Sequence, residues 1–181
     1  MGQITVGRPY AVTMDHPEDT AVQAHAELEP TPPPLEYLTR LEIEVDAPVE
    51  VGHTHAGRRR VIPITGGTAT GPSLNGKILP GGADFQVLRS ETVTDLDARY
   101  VLESNTGERI FVTNLAYRTG TAEDVAALVR GEQVPAERIY FRCAPRFEVS
   151  GAELSWLEST VVIGSGRREP DRVVIDLWSV R

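Results

Sequence analysis

Residues 41–46 read LEIEVD, with Leu41, Ile43 and Val45 alternating strictly with Glu42, Glu44 and Asp46. Successive side chains of a strand point to opposite faces, so this spacing predicts a strand with one face on a core and the other in water. Comparable short runs, each bounded by turn residues, recur at 59–65, 77–79, 84–89, 97–103, 109–117, 139–147, 154–163 and 172–180. About nine strands of this kind, with no helix alternating between them, predict an antiparallel meander that closes on itself. The connections agree. Asn105-Thr106-Gly107 is a tight hairpin signal, and GGTATGPSLNG at 66–76 reads as a Gly-rich, non-helical link. One helix is predicted, over 121–130: Thr121 can cap it, Glu123 and Asp124 sit in its first turn, and Val125, Leu128 and Val129 supply an apolar stripe.

The chain has 181 residues, 40% hydrophobic and 24% charged, with 16 Gly and 13 Pro. One core of ordinary size fits this length, and the Gly and Pro content fits a turn-rich β protein. Lys and Arg number 18 against 26 Asp and Glu, a formal net charge of −8. Phosphate backbones and anionic membrane surfaces are repelled on average by such a chain, so neither nucleic acid nor membrane is an expected partner. Positive charge is nevertheless concentrated at Arg58-Arg59-Arg60 and Arg167-Arg168, which leaves room for a small anion. Cys143 is the single cysteine, which rules out an intramolecular disulfide framework. With no signal-peptide pattern and no apolar run of membrane-spanning length, the expected location is the cytoplasm.

Residues 1–34 read differently from the remainder, ending in the stiff stretch Glu-Pro-Thr-Pro-Pro-Pro at 29–34. They are expected to form an N-terminal arm, either partly flexible or adding a strand to the body or to a neighbouring subunit, ahead of a single domain at 35–181. A homodimer or higher homo-oligomer is compatible with that second arrangement.

Four separated stretches carry a resemblance: GGTATGPSLNGKILPGGADF at 66–85, DARY at 97–100, YFRCAPRFE at 140–148 and Trp156-Leu157. In this order they resemble the family called domain of unknown function 3237, also grouped as UPF0311, along nearly all of the body. Phe85 stands where the family more usually has Trp, and Asn105 where an acidic residue is common. The resemblance implies an all-β, up-and-down antiparallel barrel of calycin-like form with space for a small molecule. It implies no catalytic residue, because the family has no settled reaction.

Candidate residues therefore come from residue chemistry. Asp84 follows Gly81-Gly82-Ala83, a backbone that allows close approach, and a buried carboxyl there can serve as general acid or base. Its structural alternative is a turn cap or a partner for a buried Arg, with Arg99 a candidate across the barrel. On 140–148, alternation puts Tyr140, Arg142 and Glu148 on one face, a set able to orient an oxyanion and move a proton, or equally to form a surface ion network. Pro145 should mark a bulge or edge there. Phe85 and Trp156 are candidates for stacking on a ligand or for plain core, and Arg60 for an anion-binding group or a solvated side chain. His53 and His55 lack a third ligand at matching spacing, and no Walker, Rossmann or Gly-x-Ser-x-Gly pattern is present, so no metal and no cofactor are expected. The reading that unites these features is a barrel binding an apolar, polyketide-like or aromatic metabolite and catalysing a cofactor-free cyclisation, isomerisation or elimination. A non-catalytic carrier or sensor, and a structural assembly module, are its alternatives.

Overall fold

A computed structural model describes residues 30–181. Most of the expected arm, including His16 and His25, lies outside the described residues.

The strands are β1 Leu35–Val45, β2 Val49–Thr54, β3 Gly57–Thr70, β4 Gly76–Ile78, β5 Gly82–Leu88, β6 Val93–Ser104, β7 Arg109–Thr119, β8 Tyr140–Val149, β9 Val162–Arg168 and β10 Arg172–Val180. Every pairing is antiparallel, and β1 pairs with both β10 and β3, which closes the sheet. β4 and β5 lie end to end between β3 and β6, and β2 continues the line of β1 along β3. The ten strands thus fill eight positions of an up-and-down barrel. Closure removes the two free ends an open sheet would have, although β8 and β9 pair over only two residues.

Alternation decides which side chains enter. On β7, Ile110, Val112, Asn114, Ala116 and Arg118 are buried, and the residues between them face outward. On β8 the buried set is Phe141, Cys143, Pro145 and Phe147. Pro145 does not shift this parity: the β7–β8 register runs unbroken from Ile110↔Val149 to Thr119↔Tyr140. It causes no bulge because β8 pairs with β9 only at Arg142 and Cys143, so Pro145 stands where one side of β8 is unpaired.

The helix α1, Ala122–Val129, forms where the capping pattern places it. Thr121 accepts a hydrogen bond from the Asp124 backbone N–H and donates from its hydroxyl to the Asp124 carboxylate, and Arg138 closes on the same carboxylate. In the hairpin between β6 and β7, Gly107 adopts φ +87°, the left-handed geometry a tight turn requires.

Three sequence expectations are corrected. Residues 154–163 are not one strand: Ser155–Ser159 form a 3₁₀ turn, and β9 begins at Val162. Residues 66–70, read as a link, belong to β3, and β2 was not foreseen. Gly164-Ser165-Gly166, just beyond the strand expected to end at 163, runs inside β9. The glycines serve packing there, because a Cβ on Gly164 would strike Cys143 Sγ at 2.6 Å and one on Gly166 the Phe141 ring at 2.7 Å. Gly166→Val is accordingly expected to cost about 1–3 kcal/mol, through displacement of the Phe141 ring, in chemical denaturation.

The interior has two halves. Around the start of β1, the end of β6 and the start of β7 it is solid and apolar, filled by Leu38, Leu41, Tyr100, Leu102, Ile110 and Leu177. The half nearest α1 is not filled.

Candidate functional site

The unfilled half encloses a cavity of about 370 Å³. Its rim is formed by the β1–β2 link at Asp46, Ala47 and Pro48, the end of α1 through Gly131, and the β9–β10 turn at Pro170 and Asp171. Small side chains make the space. Asp84, Ala98 and Asn114 are successive cross-strand neighbours, as are Gln86, Leu96 and Ala116 in the adjacent row. Ala98 and Ala116 leave open the centre that longer residues would close. Ile43, Ile62, Ile64, Leu96, Phe141 and Ile175 provide the apolar lining.

Into this space the inward positions of four strands send polar groups: Arg60 from β3, Asp84 and Gln86 from β5, Asn114 and Arg118 from β7, and Arg168 from β9. Arg60, Gln86, Asn114 and Arg118 are all at most 4% exposed. Arg60, Gln86 and Asp84 form a chain of contacts. Arg60 Nε donates to Gln86 Oε1 at 2.9 Å, and Gln86 Nε2 donates to Asp84 Oδ2 at 2.6 Å. Gln86 therefore fixes one carboxylate oxygen and leaves the other, Oδ1, without a partner among the described residues. Arg118 Nε and Nη2 and Asn114 Oδ1 are likewise buried and unpartnered. Native interiors satisfy nearly all buried polar atoms, and four of the seven unpartnered ones among the described residues belong to residues that line this one cavity.

Electrostatics follow from this burial. Desolvation pushes the Asp84 carboxyl above its usual range, against the hydrogen bond from Gln86 and the charges of Arg118 and Arg60, which pull it down. Desolvation likewise draws Arg118 down to about 10, still protonated at neutral pH, with Arg60 adding repulsion and Asp84 opposing it. Arg60 and Arg168 are lowered by the same burial. A half-buried aspartate whose carboxyl has one unpartnered oxygen, beside a buried guanidinium with unpartnered N–H groups, can remove a proton and stabilise the negative charge that results.

Of the residues singled out in the sequence, Asp84, Arg60 and Arg168 of the second basic pair line this cavity, and the other site candidates do not. Tyr140, Arg142 and Glu148 share a face as expected, but it is the outer face, because Phe141, Cys143 and Phe147 take the inner one. Arg142 lies over the Tyr140 ring at 5.3 Å and donates to Ser165 Oγ. Arg99 points outward and pairs with Asp97 at 3.0 Å, so the expected Asp84–Arg99 pair does not form: Ala98 holds the inward position beside Asp84. Phe85 is 40% exposed, since inward Asp84 and Gln86 flank it. Trp156 packs half-buried against the apolar core. His53 on β2 and His55 in the turn after it are exposed, and no group of three metal-ligating side chains occurs among the described residues. The cysteine is buried, and burial pushes its thiol up to about 11. Arg142→Ala and Glu148→Gln, being remote from the cavity, are expected to change turnover of any cavity substrate by less than about twofold in steady-state assays.

Gln86, Asn114 and Arg118 were missed. Their signal lay in parity: Asn114 and Arg118 follow Ile110 and Val112 at even spacing, so they are polar residues in the inward set of β7.

Comparison with known proteins places this architecture. A UPF0311 protein of Rhodopseudomonas palustris is 39% identical over 144 residues, covering 80% of this chain and 94% of its own. A solved structure from the same species, described as a conserved protein of unknown function, superposes with a TM-score of 0.81 at 37% identity, covering 84% of this chain and all of its own. A β-barrel-like protein of Acinetobacter baumannii gives a TM-score of 0.74 at 38% identity, covering 86% of this chain and 100% of its own. An enzyme from Penicillium herquei shares the fold at 20% identity and a TM-score of 0.63, covering 85% of this chain and 98% of its own. The model of the family described as protein of unknown function DUF3237 matches residues 33–180, and the chain belongs to that family.

Proposed function

We propose that the barrel is a cofactor-independent enzyme that binds a small, largely apolar metabolite, of aromatic or polyketide type, and drives a cyclisation, isomerisation or elimination by proton transfer. The observation that carries this reading is Asp84 Oδ1, a buried carboxylate oxygen with no partner among the described residues, on a residue that lines the same cavity as Arg118, whose Nε and Nη2 are likewise unpartnered. Asp84 takes a proton from an acidic C–H or O–H of the substrate through Oδ1, while Gln86 holds Oδ2 and so sets the direction of attack. Arg118 and Asn114 both stand on β7, separated from β5 by β6, and Arg118 donates to the oxygen on which charge develops. The same carboxylic acid then returns the proton at a second atom, so no other reagent is consumed. Desolvation of Asp84 favours this role, since a base works best when its pKa approaches the working pH.

The test is incubation of wild-type protein and Asp84→Asn with a small-molecule extract, without added cofactor, followed by mass spectrometry. A compound converted by the wild type alone supports the enzyme. A compound retained unchanged by both identifies a carrier instead, and conversion by both removes Asp84 from the chemistry.

A further inference from the structure

The cavity contains more positive than negative charge. Three guanidiniums, of Arg60, Arg118 and Arg168, reach its wall on strand positions, against the single strand carboxylate of Asp84. The other acids on the lining, Asp46 and Asp171, are exposed at the rim and engaged locally: Asp46 accepts from the Ala47 N–H at 2.7 Å, and Asp171 pairs with Arg172 at 3.3 Å. Arg168 is tied by its own donors to the Arg172 and Pro170 carbonyls and lies in the field of Asp171. Arg60 is engaged with Gln86 and also feels Glu50. Arg118 is different. It is 2% exposed, its only attractive charge among the described residues is Asp84, and Arg60 and Arg168 both repel it. Yet its Nε and Nη2 bond neither to Asp84 nor to any other described residue, and Asp84 keeps Oδ1 free as well.

An uncompensated buried guanidinium is costly, and an ion pair with Asp84 would be the simplest relief. The barrel keeps the two apart, which makes sense if a third charged group belongs with them. We infer that the natural ligand is an organic monoanion, a carboxylate or a comparably acidic enolate or phenolate, whose charged end lies on Arg118 and whose apolar or aromatic body lies against Ile62, Leu96, Phe141 and Ile175. Bound in this way the anion reduces the excess of positive charge and fills donors that nothing else fills, while Asp84 stays free to act on an atom further along the molecule. The inference rests on the reading that this cavity is the ligand site, and it adds the charge class of the substrate. The overall net charge of −8 does not oppose it, because the field inside a low-dielectric cavity is set by its lining.

The experiment compares 2-naphthoate with its neutral isostere 2-naphthamide by isothermal titration calorimetry at pH 7.5, on wild type, Arg118→Met and Asp84→Asn. The acid is expected to bind the wild type about tenfold or more tightly than the amide, as one charge-assisted hydrogen bond supplies. Arg118→Met should bring the two probes to near equality, and Asp84→Asn should keep or increase the preference for the acid by removing a like charge. Equal affinity of the wild type for both probes, or no saturable binding of either, overturns the proposal. The wild-type comparison needs no variant to fold. Failure here differs from failure of the catalytic reading: acid preference with undiminished turnover in Asp84→Asn sinks only the latter, and loss of turnover without acid preference sinks only the former.

Discussion

Replacing Asp84 by asparagine is expected to lower turnover by about 10²–10⁴-fold, the range associated with loss of one acid/base group. Asparagine is nearly isosteric, and its side-chain carbonyl still accepts the Gln86 N–H, so the cavity shape and the Arg60–Gln86 contact survive. What goes is the ability to hold and return a proton. The same change is expected to stabilise the fold at neutral pH. Because burial raises the folded-state pKa of Asp84 above its unfolded value, the group contributes most to stability when protonated, below the ordinary carboxylate range, and that contribution is lost as pH rises through the folded value. Asparagine mimics the protonated form at every pH. The variant should therefore melt above the wild type at pH 7, and the difference should shrink on acidification toward about pH 4, where the wild-type carboxyl is neutral too. Thermal unfolding across that pH range checks this, and a variant less stable than wild type at pH 7 would show that Asp84 is held mainly as a counter-ion. In the wild type, kcat/KM for a substrate should rise with pH through the same raised pKa if Asp84 is the base. Gain of stability with loss of activity is the behaviour expected of a residue kept for function against its cost.

Leu177→Ala is expected to cost about 2–5 kcal/mol, the range for truncating a fully buried leucine in a core that cannot collapse onto the void. Leu177 is fully buried, and it faces Gly164, where an added Cβ would lie 2.6 Å from Leu177 Cδ2. Gly164 has no side chain to move into the hole, and the closed ring holds β9 and β10 in register from Arg168↔Val173 to Val162↔Ser179, so the walls cannot collapse readily. Total stabilities of domains are about 5–15 kcal/mol, so this one residue accounts for a large share. Urea denaturation measures it. A loss below about 1 kcal/mol would mean that this half of the barrel relaxes around the void.

Most of the barrel was legible because alternation is local. LEIEVD at 41–46 and the inward row of β7 state which face is buried, and the capping pattern at Thr121 locates α1 without tertiary information. Glycine misled where it served packing. Gly164 and Gly166 carry the composition of a turn, but they lie mid-strand because Cys143 and Phe141 occupy the volume their side chains would need. That reason exists only once β8 and β9 are neighbours.

The site divides along the same line. Asp84 and Arg60 were recognisable as carboxylate and guanidinium at constrained or apolar-flanked positions, whereas Tyr140, Arg142 and Glu148, richer as a motif, turn out on the outer face. Period-two alternation fixes which residues share a face but is blind to which face is inner when both sets hold polar and aromatic groups. By itself, then, the amino-acid order determined the class of fold, the up-and-down course of the chain and the presence of a carboxylate after the Gly-Gly turn. Only the closed barrel decided that Asn114, Arg118 and Arg168 meet Asp84 and Gln86 in one cavity, because β5, β7 and β9 lie far apart in the chain, and small residues at Ala98 and Ala116 keep space between them.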